Sequence, residues 1–88
     1  MNELKRLYEL YKIATEAADL ADEAWEKDPE NEELEKAFDE FYESQHEATE
    51  ALTEAIEIFT KGQVSKKTAR TILAMNAKKF DELMEKIA

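Results

Sequence analysis

From Leu4 onward the apolar residues of this chain recur at alternating intervals of three and four, and one proline and one glycine are its only strong helix breakers. Leu4, Leu7, Tyr11, Ala14, Ala18, Ala21 and Trp25 form one seam, and Leu10, Ile13, Ala17, Leu20 and Ala24 form a second. This is the period of an α-helix and not the alternation of a strand. At about 100° per residue the two seams are centred roughly 110° apart, so the first helix is expected to touch two neighbours rather than one.

Asp28-Pro29 is the first stop. Asp28 is expected to cap a second helix with Pro29 at its first position, where a missing N–H costs nothing, and Glu30, Glu32 and Glu33 suit the positive end of the helix dipole. The second seam-bearing segment runs Leu34, Phe38, Phe41, Gln45, Ala48, Leu52, Ala55, Phe59, with Gln45 as its polar intruder, and closes at Lys61-Gly62. Ser65 is expected to cap a third helix bearing Ala69, Leu73, Asn76, Phe80, Leu83 and Ile87. Asn76 in that seam reads either as a buried polar residue fixing register or as a cap between two shorter helices; the continuous helix is the favoured reading.

The fold expected is all-α: an antiparallel up-down-up three-helix bundle with helices at about 2–27, 29–61 and 66–88, in one domain spanning 1–88. A helical-hairpin dimer with an added helix is the alternative. The expected core gathers Leu7, Tyr11, Phe38, Phe41, Leu52, Phe59, Leu73, Phe80 and Leu83 from the inward seams. A middle helix of those bounds outruns its partners by ~10–15 Å at 1.5 Å per residue. That excess, with the second seam of the first helix, leads to an expectation of self-association.

Charge is divided unevenly. Residues 1–60 carry 19 acids and 5 bases, and residues 61–88 carry 7 bases and 3 acids, for a net charge of −10. The absence of cysteine excludes disulfide and thiolate chemistry. Met1-Asn2-Glu3-Leu4-Lys5-Arg6 leads into an amphipathic stretch, so neither a leader nor a membrane span is expected, and the chain is expected to be cytoplasmic.

Chemistry-bearing patterns are sparse. The sole histidine lies in Glu43-Ser44-Gln45-His46, the half-motif of a di-iron carboxylate site, but no second histidine exists to complete one. His46 falls among acids on the polar face, so no metal and no cofactor are expected. No serine, lysine or carboxylate has the base and orienting partner of a nucleophile, and one glycine cannot build a phosphate loop. An enzyme with a small-molecule substrate is therefore not expected.

Residues Gly62-Gln63-Val64-Ser65-Lys66-Lys67-Thr68-Ala69-Arg70-Thr71-Ile72-Leu73 resemble the turn and recognition helix of helix-turn-helix DNA-binding proteins. The resemblance implies that Ser65, Lys66, Lys67 and Arg70 face DNA. It departs from the family at Gln63, an extra residue, and at Phe59, where a small residue is the rule. Asp28-Pro29-Glu30-Asn31 resembles the entry to a tetratricopeptide repeat, without the copy about 34 residues away that such an array needs.

The acids Asp39, Glu43, Glu47, Glu50, Glu54 and Glu57 share one face of the second helix, which has no base between Lys36 and Lys61. A rigid rod of one-signed charge suits a partner whose ordinary ligand is nucleic acid. The function expected is a non-enzymatic, acidic protein-binding module, of the accessory or inhibitory DNA-mimic kind found in phages and mobile elements, with a basic nucleic-acid-binding protein as partner. The alternatives are a small DNA-binding regulator using residues 62–73 and a structural oligomerisation module.

Overall fold

The computed structural model describes residues 3–87, and among them every regular element is a helix: α1 (Glu3–Lys27), α2 (Glu32–Phe59), α3 (Lys66–Met75) and α4 (Ala77–Ile87). The expected helix limits at Asn2 and Ala88 lie outside the described residues. α1 and α2 form a long antiparallel hairpin. α3 packs on the C-terminal half of α2, and α4 crosses to the N-terminal end of α1, giving a molecule 46 × 23 × 20 Å in extent.

The connection between α1 and α2 corrects the expected boundary. The cap is Asn31 and not Asp28: its Oδ1 accepts from the N–H groups of Glu33 and Leu34 at 3.0 and 3.3 Å, while its Nδ2 donates to Asp28 Oδ2 at 3.3 Å. Pro29 lies in the turn, and its carbonyl accepts from Trp25 Nε1 at 3.3 Å. The physical reason is reach. One residue between two helices cannot reverse the chain and separate the axes by about 8–10 Å.

α2 ends at Phe59, with Thr60 as its C-cap. Gly62 N–H donates to Glu57 O at 2.9 Å and Lys61 N–H to Ile58 O at 3.1 Å, the paired bonds of a Schellman motif. The left-handed position of that motif falls on Lys61, at φ 55°, with Gly62 following at φ 84°.

The third expected helix is two helices, which corrects the three-helix bundle. Asn76 N–H closes α3 on Ile72 O at 2.8 Å, and Asn76 Oδ1 opens α4 by accepting from Lys79 N–H at 3.0 Å. Its backbone, at φ −153° and ψ 89°, is off the helix. An asparagine side chain offers the first-turn amide an acceptor, and beyond the break Phe80 and Met84 pack with Leu4 and Tyr8 of α1.

The core sits at this end of the hairpin, hereafter the base. Leu4, Leu52, Ile56, Ala69, Phe80 and Met84 form one buried cluster, with Leu7, Tyr8, Tyr11, Val64, Ile72, Leu73 and Ile87 packed against it. Burying a side chain such as Leu52 or Phe80 stabilises the fold by roughly 1.5–3 kcal/mol. Phe80 meets Tyr8 with ring centroids 5.4 Å apart, and Tyr8 Oη donates to Asp81 across the α1–α4 contact. Burial, reinforced by that bond, raises the Tyr8 phenol above its usual range.

Part of the expected core is elsewhere. Phe41 and Phe59 are exposed, Leu83 is half-buried, and Phe38 joins Trp25 and Tyr42 in a small aromatic group near the far tip, with ring separations of 5.4 and 5.9 Å. In their place the base buries Thr53 completely. Its hydroxyl donates to Thr49 O at 2.8 Å, so the polar atom is satisfied within α2 and the residue packs as a small apolar one.

Candidate protein-binding face

The acidic face of α2 divides at the point where α3 covers it. Glu50 lies 2.5 Å from Lys66 Nζ and 2.9 Å from Arg70 Nη2, and Glu57 Oε2 accepts from the backbone N–H of Lys66 at 2.9 Å, satisfying an open donor in the first turn of α3. The bond from Lys66, aided by the charge of Arg70, holds the Glu50 carboxyl below its usual value. Asp39, Glu43, Glu47 and Glu54 remain exposed further along the helix. Of the six expected binding acids, Glu50 and Glu57 are thus committed to holding α3, and four face solvent.

The same contacts bear on the residues that the helix-turn-helix resemblance singled out. Ser65 is the N-cap of α3, its Oγ accepting from Thr68 N–H at 3.1 Å. Lys66 and Arg70 are turned back onto Glu50, while Lys67 is exposed. The fold brings these four residues to one helix end and neutralises two of them with an acid of its own chain.

His46 is exposed and borders a shallow groove of about 180 Å³ with Tyr42, Gln45 and Thr49. Gln45, the polar residue of the α2 seam, donates to Thr15 Oγ1 at 3.1 Å and so ties α2 to α1 midway along the hairpin. A larger surface groove of about 480 Å³ lies between α1 and α4, lined by Lys5, Tyr8, Glu9, Lys12, Asp81, Met84 and Glu85. Among the described residues, no three His, Asp or Glu side chains converge as metal ligands would, and no helix is long and apolar enough to cross a membrane.

The feature that sequence reasoning misplaced is apolar. α1 meets α2 through Thr15 and Trp25 and meets α4 through Leu4 and Tyr8. At about 100° per residue, Leu10, Ile13, Ala17 and Leu20 fall on the opposite flank of α1 from Tyr8. On α2, Phe41 and Ala48 likewise fall away from the Thr49-Thr53-Ile56 side that α3 covers. α3 and α4 therefore occupy one side of the hairpin, and these residues line the other. Leu10, Ile13, Leu20 and Phe41 are 47, 63, 60 and 43% exposed. The second seam of α1, expected to meet a second neighbour and counted towards self-association, meets no helix of this chain among the described residues. A sequence signal for this exists in length alone: the third expected helix, at about 66–88, is too short to cover both sides of a hairpin whose arms have 25 and 28 residues.

No family model, curated protein or solved structure matches this chain.

Proposed function

We propose that this chain is a non-enzymatic, acidic protein-binding module that works through the side of its α1–α2 hairpin turned away from α3 and α4. The observation that carries this reading is the collection of Leu10, Ile13, Leu20 and Phe41 on that side, exposed and in line. Contiguous exposed apolar surface on a small protein marks an interaction site more often than a solubility defect. The charge around it supports a basic partner: residues 1–60 carry 19 acids against 5 bases, and the free acids Asp39, Glu43, Glu47 and Glu54 lie on the same arm. A protein that ordinarily handles nucleic acid fits that description, and inhibition by DNA mimicry is the narrower form of the proposal.

The DNA-binding alternative has less support, because Glu50 holds two of its candidate phosphate contacts and the net charge of −10 opposes approach to a polyanion. Self-association remains the competing use of the bare side.

The test compares wild type with the double variant Leu20→Ser, Phe41→Ser in cross-linking capture from a cell lysate read by mass spectrometry. Both substitutions are at exposed positions, so helix content by circular dichroism should be unchanged. Proteins captured by wild type and lost from the variant support the reading. An identical set from both removes this side as the binding surface.

A further inference from the structure

The bare side of the hairpin is bordered by acids on both edges, and this specifies its occupant. Glu9, Glu16 and Glu23 recur every seventh residue along α1, and Glu33, Glu40, Glu47 and Glu54 do so along α2. Seven residues fall about 20° short of two full turns, so each set runs as a nearly straight row. All seven side chains are exposed. The α1 row lies just outside Ile13 and Leu20, on the flank remote from α2, and the α2 row lies about 100° round the helix from Phe41 and Ala48, on the flank remote from α1. The Thr15–Gln45 bond and the Trp25–Phe38 contact set the hairpin register, placing Leu20 level with Phe41 and Ile13 level with Ala48. The result is a trough with an apolar floor and two glutamate rims. Bases interrupt the rims: Lys12, beside the α1 row, is paired with Glu9 at 3.2 Å, and Lys36 stands between Glu33 and Glu40 on α2, while Arg6, paired with Glu3 at 2.6 Å, Lys27 and Lys61 lie towards the ends.

We infer that this trough docks a basic amphipathic helix of a partner protein, its apolar stripe on the floor and its lysines or arginines against the two rims. The floor residues Leu10, Ile13, Ala17, Leu20 and Ala24 keep the three-four spacing that receives another helix nearly in line. From Leu10 to Ala24 the floor runs about 21 Å at 1.5 Å per residue, or four helical turns. A second copy of this chain fits poorly, because both rims are acidic and either orientation of a stacked pair sets glutamates beside glutamates. A helix with basic flanks turns the same rims into an attraction, as charges flanking an apolar seam do in coiled coils. The inference rests on the protein-binding reading given above and adds the shape and sign of the partner.

The probe is a fluorescent synthetic peptide of about 18 residues, leucine and lysine only, with leucines at helical spacing. A second peptide of identical composition has its leucines scrambled out of period. Anisotropy titrations at about 0.15 M salt should show the periodic peptide binding one to one and at least tenfold more tightly than the scrambled one. Leu20→Ser with Phe41→Ser should weaken binding at least tenfold with helix content unchanged. Glu16→Gln with Glu40→Gln and Glu47→Gln should weaken it and flatten its salt dependence. Equal binding of the two peptides, or no binding of either, overturns the inference, as does a double variant that binds like wild type. Sedimentation at ~100 μM protein showing a dimer that the double variant abolishes also overturns it, by assigning the trough to a second copy. Peptide failure combined with lysate partners that depend on Leu20 and Phe41 leaves the broader protein-binding reading standing, so the two fail separately.

Discussion

At the base of the hairpin, Leu52 and Ile56 of α2 are fully buried in one cluster with Leu4, Ala69, Phe80 and Met84; about three turns earlier on the same helix, Phe41 is 43% exposed. The two regions share helices, period and composition, and they differ in what lies over them. At the base α3 and α4 complete the layer, whereas along the arm α1 and α2 have only each other, through Ala18, the Gln45–Thr15 bond and the Trp25–Phe38 stack. An apolar seam on a helix therefore records a surface that needs covering. What covers it depends on how far the rest of the chain reaches. Here the chain covers the base and leaves Leu10, Ile13, Leu20 and Phe41 of the arm exposed.

The largest test of this contrast truncates one aromatic residue in each region. Phe80→Ala should cost about 3–5 kcal/mol, since it opens a cavity in the buried cluster at the base and removes the Phe80 ring from Tyr8. Phe41→Ala should cost no more than about 1 kcal/mol, since the side chain already meets water. Urea titrations of both variants give the comparison. Equal losses would mean that the arm has a core of its own, which at this exposure requires another chain on it.

Asn76→Ala comes next. It removes the acceptor that Lys79 N–H uses and makes the uninterrupted helix competitive, in which Phe80 would leave Tyr8. Loss of an N-cap side chain costs typically about 1 kcal/mol, within a range of about 0.5–2. The same change should alter the near-ultraviolet circular dichroism of the base tyrosines. A melt and a spectrum matching wild type would show that the break is set by packing alone.

These positions also show how far a reading of the chain extends. The three-four spacing identified α1 and α2 nearly to their ends and supplied the all-helical class, because period is a property of each segment by itself. Asn76 was ambiguous for a physical reason: the same side chain fixes register inside a seam and caps a helix end, and which it does depends on whether Phe80 gains more from turning back. Thr53 was invisible as a core residue because its hydroxyl is satisfied by the carbonyl four residues earlier, an arrangement that residue type does not announce. Phe41 belongs to the expected core through its seam, which specifies a face and leaves its cover open. Among the acids, Glu50 and Glu57 look like Glu43 and Glu47 in sequence. Only the docking of α3 separates those that hold the fold from those left free.

A smaller effect, of opposite sign, is expected where α2 leaves the base. Lys61 holds the left-handed position of the Schellman motif at φ 55°, where a Cβ is disfavoured, and Gly62 comes one residue later. Lys61→Gly should therefore stabilise the protein by about 0.5–1 kcal/mol, the relief of backbone strain exceeding the added chain entropy. A urea midpoint that falls would mean that the Lys61 charge at the helix C-terminus outweighs its backbone cost.

The smallest effect separates base from arm by pH. Glu50 contacts Lys66 and Arg70, and the bond from Lys66 lowers its carboxyl below the ordinary value of 4.5. A depressed carboxylate contributes stability above its unfolded value, and that contribution is lost as pH falls through the folded one. Stability of Glu50→Gln relative to wild type should thus show a constant deficit near neutral pH that closes as pH drops below about 4.5. The deficit should be small and should shrink in high salt, because the pair is partly exposed to solvent. Glu43→Gln on the arm is the matched control: Glu43 is exposed, has no ion pair among those found in the described residues, and its replacement should leave the urea midpoint at neutral pH close to that of wild type. Urea midpoints for the three proteins between about pH 3 and pH 7 decide the matter. A closing deficit for Glu50→Gln beside an unchanged neutral-pH midpoint for Glu43→Gln supports the docking of α3 on one end of the acidic face. Equal losses for the two variants at neutral pH would dissolve the distinction between structural and free acids on which the proposed use of the arm depends.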